Sequence, residues 1–187
     1  AAQLSNNRMA LGVGMGWMPE EFAAGGQAFA QRGRRADEMI EVMRKLWSGE
    51  WVEHHGEFYD FAPLKMRPPA PGHIPIYVGG FSAPAMRRAA RHDGWIADLH
   101  SLAELEQLIA RVRNFRAEAG LAAKPFEILS FGCSDAWGAD GFRAMRDMGV
   151  TVTSTMPGVF YGAGIKASLH QKIDAMKRFA DDVIGNI

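Results

Sequence analysis

The chain reads as an α/β protein built on parallel β/α units. Short strand-like apolar runs alternate with amphipathic helical stretches along almost its whole length. Most of those runs are β-branched or aromatic and end in glycine or serine, as strands covered on both faces do when they turn into helices. Its 187 residues carry no internal repeat and no low-complexity linker, which suits a single domain over 1–187.

Met9 to Val13 is the first strand, entered from the polar turn Ser5-Asn6-Asn7-Arg8. Pro19 followed by Glu20 and Glu21 marks a helix start, with acids at the positive end of its dipole. A long amphipathic helix is predicted from about Phe29 to Trp47. Ala36, Met39, Ile40, Met43, Leu46 and Trp47 form its apolar stripe, and Ser48-Gly49 is its stop. Its charges read as a solvated face with pairs such as Glu41-Lys45. A β-hairpin excursion follows near 51–61, with Gly56 in its turn, and proline-rich Pro63 to His73 connects it to the next strand. Ile74 to Val78 is that strand, Ala83 to His92 its helix, and Trp95-Ile96-Ala97 another strand. Ser101 caps a helix from Leu102 to Ala119 that Gly120 stops. Phe126 to Phe131 is a strand, Asp140 to Met148 a short helix, and Val150 to Thr155 the last strand. A final helix spans Lys166 to Ile184, with Leu169, Ile173, Met176, Phe179, Ala180 and Val183 expected on its buried side.

Composition narrows the function classes. Lys+Arg and Asp+Glu are 21 each, so no net charge draws the chain to nucleic acid or to an anionic membrane. No run approaches the ~18 apolar residues of a spanning helix. The one cysteine, Cys133, excludes an intrachain disulfide framework and fits a cytoplasmic, reducing location. No metal is expected. His54-His55 lie on a strand, where neighbours point to opposite faces and chelate one ion poorly.

Two glycine-rich strand ends carry the functional signal. Gly79-Gly80-Phe81-Ser82 ends one strand and opens a helix. Bare N–H groups, a hydroxyl and the helix dipole there would seat an anion the size of a phosphate, though a plain tight turn explains the same glycines. Gly12, Gly14 and Gly16 alternate along another strand end and leave one face without side chains. Either a flat ligand or a packed helix can use that face. The spacing is neither a dinucleotide fingerprint nor a Walker loop.

The run Leu11-Gly-Val-Gly-Met-Gly-Trp17, then Glu20-Glu-Phe22, Arg32 to Glu38, Leu46-Trp47, Gly56-Glu-Phe-Tyr59, Pro75-Ile-Tyr-Val-Gly-Gly80, Arg87-Arg-Ala-Ala-Arg91 and Asp93-Gly-Trp95 resembles the luciferase-like monooxygenase superfamily. The likeness is to its bacterial branches of flavin- and coenzyme F420-dependent oxidoreductases. It implies a (β/α)8 TIM barrel, here incomplete, with about five parallel strands equivalent to strands 4–8. The chain opens on Ala1-Ala2-Gln3-Leu4-Ser5, which looks like the tail of a helix, and reads as the C-terminal portion of such a barrel.

The resemblance implies FMN or coenzyme F420 as cofactor and hydride transfer to, or monooxygenation of, a small organic substrate. It places Gly79, Gly80, Phe81 and Ser82 at the cofactor phosphate, Gly12, Gly14 and Gly16 beside the ring, and Trp17 either on the pocket wall or packed in the core. Bacterial luciferases carry an arginine to the phosphate where Met15 stands, a departure that favours F420 or a differently held FMN. Among residues after the later strands, His100 is the candidate acid/base; the other reading is a plain surface pair of Asp98 with His100. Cys133 reads as an inert buried thiol. A homo-oligomer, a dimer, is expected, with no nucleic-acid or membrane partner. A second reading is a non-catalytic half-barrel that self-associates through its open sheet edges and keeps only a vestigial anion site.

Overall fold

The computed structural model describes residues 1–164 and 166–187. Its centre is a five-stranded sheet of β1 (Leu11–Val13), β4 (Ile76–Gly79), β5 (Gly94–Ile96), β6 (Glu127–Ser130) and β7 (Val152–Thr153), in that spatial order. Every neighbouring pair is parallel. The strands therefore end at one edge of the sheet and hand over to helices there, the arrangement in which α/β barrels carry their sites.

Register explains which side chains face the helices. Val13, Val78, Trp95 and Ile128 lie in one row across the sheet. Val78, Trp95 and Ile128 are buried in the main core with Met86, Leu105, Ile109, Val112 and Met145 from the covering helices. Burial of each such side chain stabilises the fold by about 1.5–3 kcal/mol. The row on the opposite face is Gly12, Tyr77, Gly94 and Glu127, with bulky residues on alternate strands and glycines between. Glycine at 94 is required there, since a Cβ would come within 2.6 Å of the Tyr77 ring.

The helices are α1 (Pro19–Ala24), α2 (Arg32–Trp47), α3 (Ala83–Ala89), α4 (Leu102–Glu118), α5 (Ala139–Met148), α6 (Pro157–Phe160) and α7 (Leu169–Asp182). Ser101 and Glu104 form a full capping box on α4, and Ser168 and Gln171 form one on α7. The second box sets the start of α7 three residues later than the sequence pattern suggested. Phe29–Gln31 is a separate 3-10 turn rather than the first turn of α2. The short helix α6 was not anticipated; Pro157 sits at its first turn.

The apolar periodicity misassigned one helix face. Phe179 and Val183 are buried as expected, but Leu169, Ile173, Met176 and Ala180 are exposed, and Ala175 completes the packed face of α7. On α2 the buried residues are Ile40 and Val42, while Met39 is exposed.

The hairpin pairs β2 (Trp51–His55) with β3 (Asp60–Lys65), so its second strand runs past Phe61 and includes Pro63. An edge strand tolerates that proline. Glu38 of α2 fastens the hairpin. Its carboxylate accepts the Tyr59 N–H at 2.8 Å, the Glu57 and Phe58 N–H groups at 3.1 Å, and pairs with His54 Nε2 at 3.1 Å. His55 points the other way and pairs with Asp60 at 2.6 Å.

At the opposite end of the strands from the glycine turns, Asp93 joins three elements. It accepts the Ile76 N–H at 2.9 Å and pairs with Arg44 and His73, each at 2.8 Å. Arg116 is buried nearby and donates to the carbonyls of Ala90, His92, Lys124 and Pro125. This end of the sheet is a stability network.

Candidate functional site

At the C-terminal edge of the sheet a cavity of about 660 Å³ opens between the ends of β1 and β4. That lies within the ~300–1,000 Å³ span of small-molecule sites. Gly14, Gly16, Trp17, Gly79, Gly80, Phe81 and Ser82 all line it, with Met15, Arg32, Gly33, Arg88, Ile96, Asp98 and Phe131. The two glycine-rich stretches, far apart in sequence, thus meet at one site.

The glycines differ in why they are glycine. A Cβ at Gly14 would meet nothing within 4 Å, so packing does not account for its bareness. Gly16 has φ +75° and would clash with the Phe22 ring at 2.7 Å, which is a local packing reason. Gly12 lies outside this cavity. It faces Ile96, whose Cδ1 would stand 3.1 Å from a Cβ, and it borders a neighbouring cavity of about 340 Å³ against α2. Gly79 has room for a Cβ, whereas Gly80 has φ +117° and would press a Cβ to 2.9 Å from that of Ala85.

The Gly80 turn is held from beneath. The buried Trp95 donates its indole N–H to the Gly80 carbonyl at 3.0 Å. Ser82 caps α3, its Oγ accepting the Ala85 N–H at 3.4 Å. Phe81 projects into the cavity wall and packs edge-on against His100, with ring centroids 4.8 Å apart.

Two cations at the site escaped the sequence reading, which took the α2 arginines as a solvated face. Arg88 is buried and forms a fork with Asp37 through Nε at 2.6 Å and Nη2 at 2.9 Å. Its remaining amino group, Nη1, is left for the cavity it lines. Arg32 stacks over the Phe29 ring at 3.7 Å and donates to the Phe29 carbonyl at 3.0 Å. Among the described residues no carboxylate pairs with Arg32, and it lines both cavities. The Asp37–Arg88 pair spans 51 positions, so spacing could not reveal it. Gly33 is the available clue, because a Cβ there would come within 2.8 Å of Arg88 Nη2.

His100 is not on the cavity wall; it sits behind Phe81, and its Nε2 is buried without a hydrogen-bond partner among the described residues. Asp98 does line the cavity, is exposed, and accepts the Leu99 N–H at 2.9 Å rather than pairing with His100. Burial, and then the nearby Asp135 carboxylate, push the Cys133 thiol upward, so it stays protonated and unreactive. Tyr161 is tied to Asp182 at 2.9 Å.

The sequence profile of luciferase-like monooxygenases matches residues 1–171. The chain belongs to the luciferase-like monooxygenase family. An uncharacterized protein of Mycobacterium tuberculosis (strain ATCC 25618 / H37Rv) is 43% identical over all 187 residues, and the chain spans 64% of that relative's length. An FMNH(2)-dependent dimethylsulfone monooxygenase of Pseudomonas fluorescens (strain Pf0-1) is 33% identical over 120 residues, which are 63% of this chain and 32% of that protein. Among solved structures, the monooxygenase RslO1 from Streptomyces bottropensis superposes with TM-score 0.59 at 24% identity, over 98% of this chain and 51% of that one. An F420-dependent secondary alcohol dehydrogenase bound to an F420-acetone adduct gives TM-score 0.60 at 18% identity, over 97% of this chain and 63% of that one. The fold is thus that of the TIM-barrel enzymes of this family, with the five parallel strands forming part of the barrel.

Proposed function

We propose that this luciferase-like chain anchors FMN or coenzyme F420 for an oxidoreductase that transfers hydride to, or monooxygenates, a small organic substrate. The observation that carries the reading is the cavity at the C-terminal strand edge. It joins the bare Gly14 and Gly79-Gly80 backbone to Arg32 and Arg88. Both cofactors carry a phosphate, and guanidinium groups with exposed backbone N–H groups are the donors that hold one. Arg32 also supplies the positive charge that Met15 does not, while Asp37 balances that of Arg88. Among relatives, the dimethylsulfone monooxygenase uses FMNH(2) and the alcohol dehydrogenase uses F420, which supports both cofactors equally.

When bound, the cofactor supplies the two-electron redox chemistry. The residues here bind and orient. Arg32 and Arg88 would hold the phosphate, and Trp95 would fix the Gly80 turn against it. Gly14 would leave room for the ring beside β1, and Trp17 and Phe81 would wall the pocket from water. The non-catalytic reading finds no support in these relatives. We also propose that the protein works as a homodimer, because the Leu169–Ile173–Met176 stripe of α7 is an exposed apolar row.

Separate titrations with FMN and F420, followed by absorbance and fluorescence, test the cofactor reading. Saturable binding of one of them is expected; no saturable binding of either overturns it.

A further inference from the structure

The cavity has a polar group just behind its wall. His100 Nε2 is buried and has no hydrogen-bond partner among the described residues. Such an atom has given up its hydration without gaining a protein partner in return. No neighbouring carboxylate reaches it. Asp98, two residues earlier and exposed, accepts the Leu99 N–H at 2.9 Å. Asp135 accepts the Leu102 N–H at 2.9 Å, and Glu104 accepts the Ser101 N–H at 3.0 Å and its hydroxyl at 2.8 Å.

The fold holds His100 firmly where it stands. Its carbonyl accepts the Ser134 N–H at 2.8 Å, a parallel bridge joins it to Cys133, and the next residue, Ser101, caps α4. Between His100 and the cavity stands the Phe81 ring, which lines the cavity and meets the imidazole edge-on at 4.8 Å between centroids. Phe81 is 38% exposed and follows Gly80, so its ring has solvent to turn into. A fixed imidazole behind one half-exposed aromatic ring is a contact that a ligand can uncover.

We propose that His100 is a substrate-contacting residue and that Phe81 is its cover. A substrate bearing a hydroxyl or carbonyl oxygen turns the Phe81 ring aside and hydrogen-bonds His100 Nε2. A hydroxyl serves that nitrogen as donor or acceptor, and a carbonyl serves its N–H form. The proposal rests on the cofactor reading for where the reaction takes place, but its test needs no cofactor. Proton–nitrogen spectra of the imidazole rings in protein labelled with nitrogen-15 at histidine read Nε2 directly, and His100→Gln assigns its signal. The His54 ring, buried against Glu38, reports in each variant whether the fold persists.

The probe is cyclohexanol, with chlorocyclohexane as a control of similar shape that lacks the oxygen. Cyclohexanol should shift the His100 Nε2 signal saturably, and chlorocyclohexane should not. In calorimetric titrations His100→Gln should weaken cyclohexanol binding about fivefold, as loss of one neutral hydrogen bond does. Phe81→Ala, or Phe81→Leu if the alanine variant disturbs His54, should bind it more tightly, having less of a ring to displace. An Nε2 signal that cyclohexanol leaves unmoved, or that chlorocyclohexane moves equally, overturns the proposal. So does weaker binding by both Phe81 variants, which makes the ring a fixed wall. A shift as large from Asp98→Asn in the ligand-free protein also overturns it, by giving His100 to a surface pair. Cofactor binding with a silent Nε2 sinks this proposal alone; a responding Nε2 without FMN or F420 binding sinks the cofactor reading instead.

Discussion

Arg32 and Gly14 are the single residues on which the proposed site turns, and Gly14 can be tested without disturbing the fold. Arg32→Ala removes the stack on the Phe29 ring and the hydrogen bond to its carbonyl, so it should cost about 1–2 kcal/mol of stability. It should weaken cofactor binding by about 1.5–3 kcal/mol, the worth of a hydrogen bond to a charged group. Gly14→Leu introduces a side chain that meets no protein atom at its Cβ, so it should fill the cavity and abolish binding while melting normally. Gly80→Ala should behave differently. Its φ of +117° and the nearby Ala85 make it lose stability as well as binding, which a melting curve beside the titration will show. Trp95→Phe keeps the burial but loses the N–H to Gly80. A stability loss of about 1 kcal/mol and weaker cofactor binding are expected from calorimetry. The glycines were legible in the sequence because missing side chains show in any alignment of strand and turn signals. The arginines were not, because what distinguishes Arg32 from Arg34, which pairs with Glu57 at 2.9 Å, is a partner set only by the fold.

Among the elements, the hairpin and the lower end of the sheet hang on single carboxylates. For Glu38, burial pushes upward, but the N–H groups of Tyr59 and Phe58 and the His54 ring outweigh it and hold the group below its usual value. For Asp93, burial is likewise outweighed by the Ile76 N–H, Arg44 and His73. Both folded-state values lie below the unfolded ones. Their stabilisation is therefore full above the ordinary carboxylate range and is lost as pH falls through the lowered values, below about pH 4. Amide exchange across that window should show the hairpin and the β4–β5 end loosening together. Glu38→Ala should speed exchange at Glu57, Phe58 and Tyr59 at neutral pH; unchanged exchange there would contradict the clamp. The order and type of the strands and long helices were legible, since β-branched runs, caps and stops agree locally. The faces of α7 were not. Phe179 and Val183 were placed correctly, but Leu169, Ile173 and Met176 fit helical periodicity with them as well as Ala175 does, and only packing chooses between those.

For the whole molecule, a parallel sheet with β1 and β7 at its edges brings the two glycine stretches to one rim and leaves the Asp93 and Arg116 network at the other. That division of labour is what the barrel architecture provides. The exposed α7 row makes a dimer the expected state in light scattering, and Ile173→Lys should shift it toward monomer. The central claim is that the cavity joining Gly14, Gly79-Gly80, Arg32 and Arg88 holds a phosphate-bearing flavin or deazaflavin. The most direct measurement is a pair of titrations, FMN and F420, on the wild type and on Arg32→Ala. Saturable binding of one cofactor, weakened at least about tenfold in the variant, is the expected result. Binding of neither cofactor, or equal affinity in both proteins, would contradict the account.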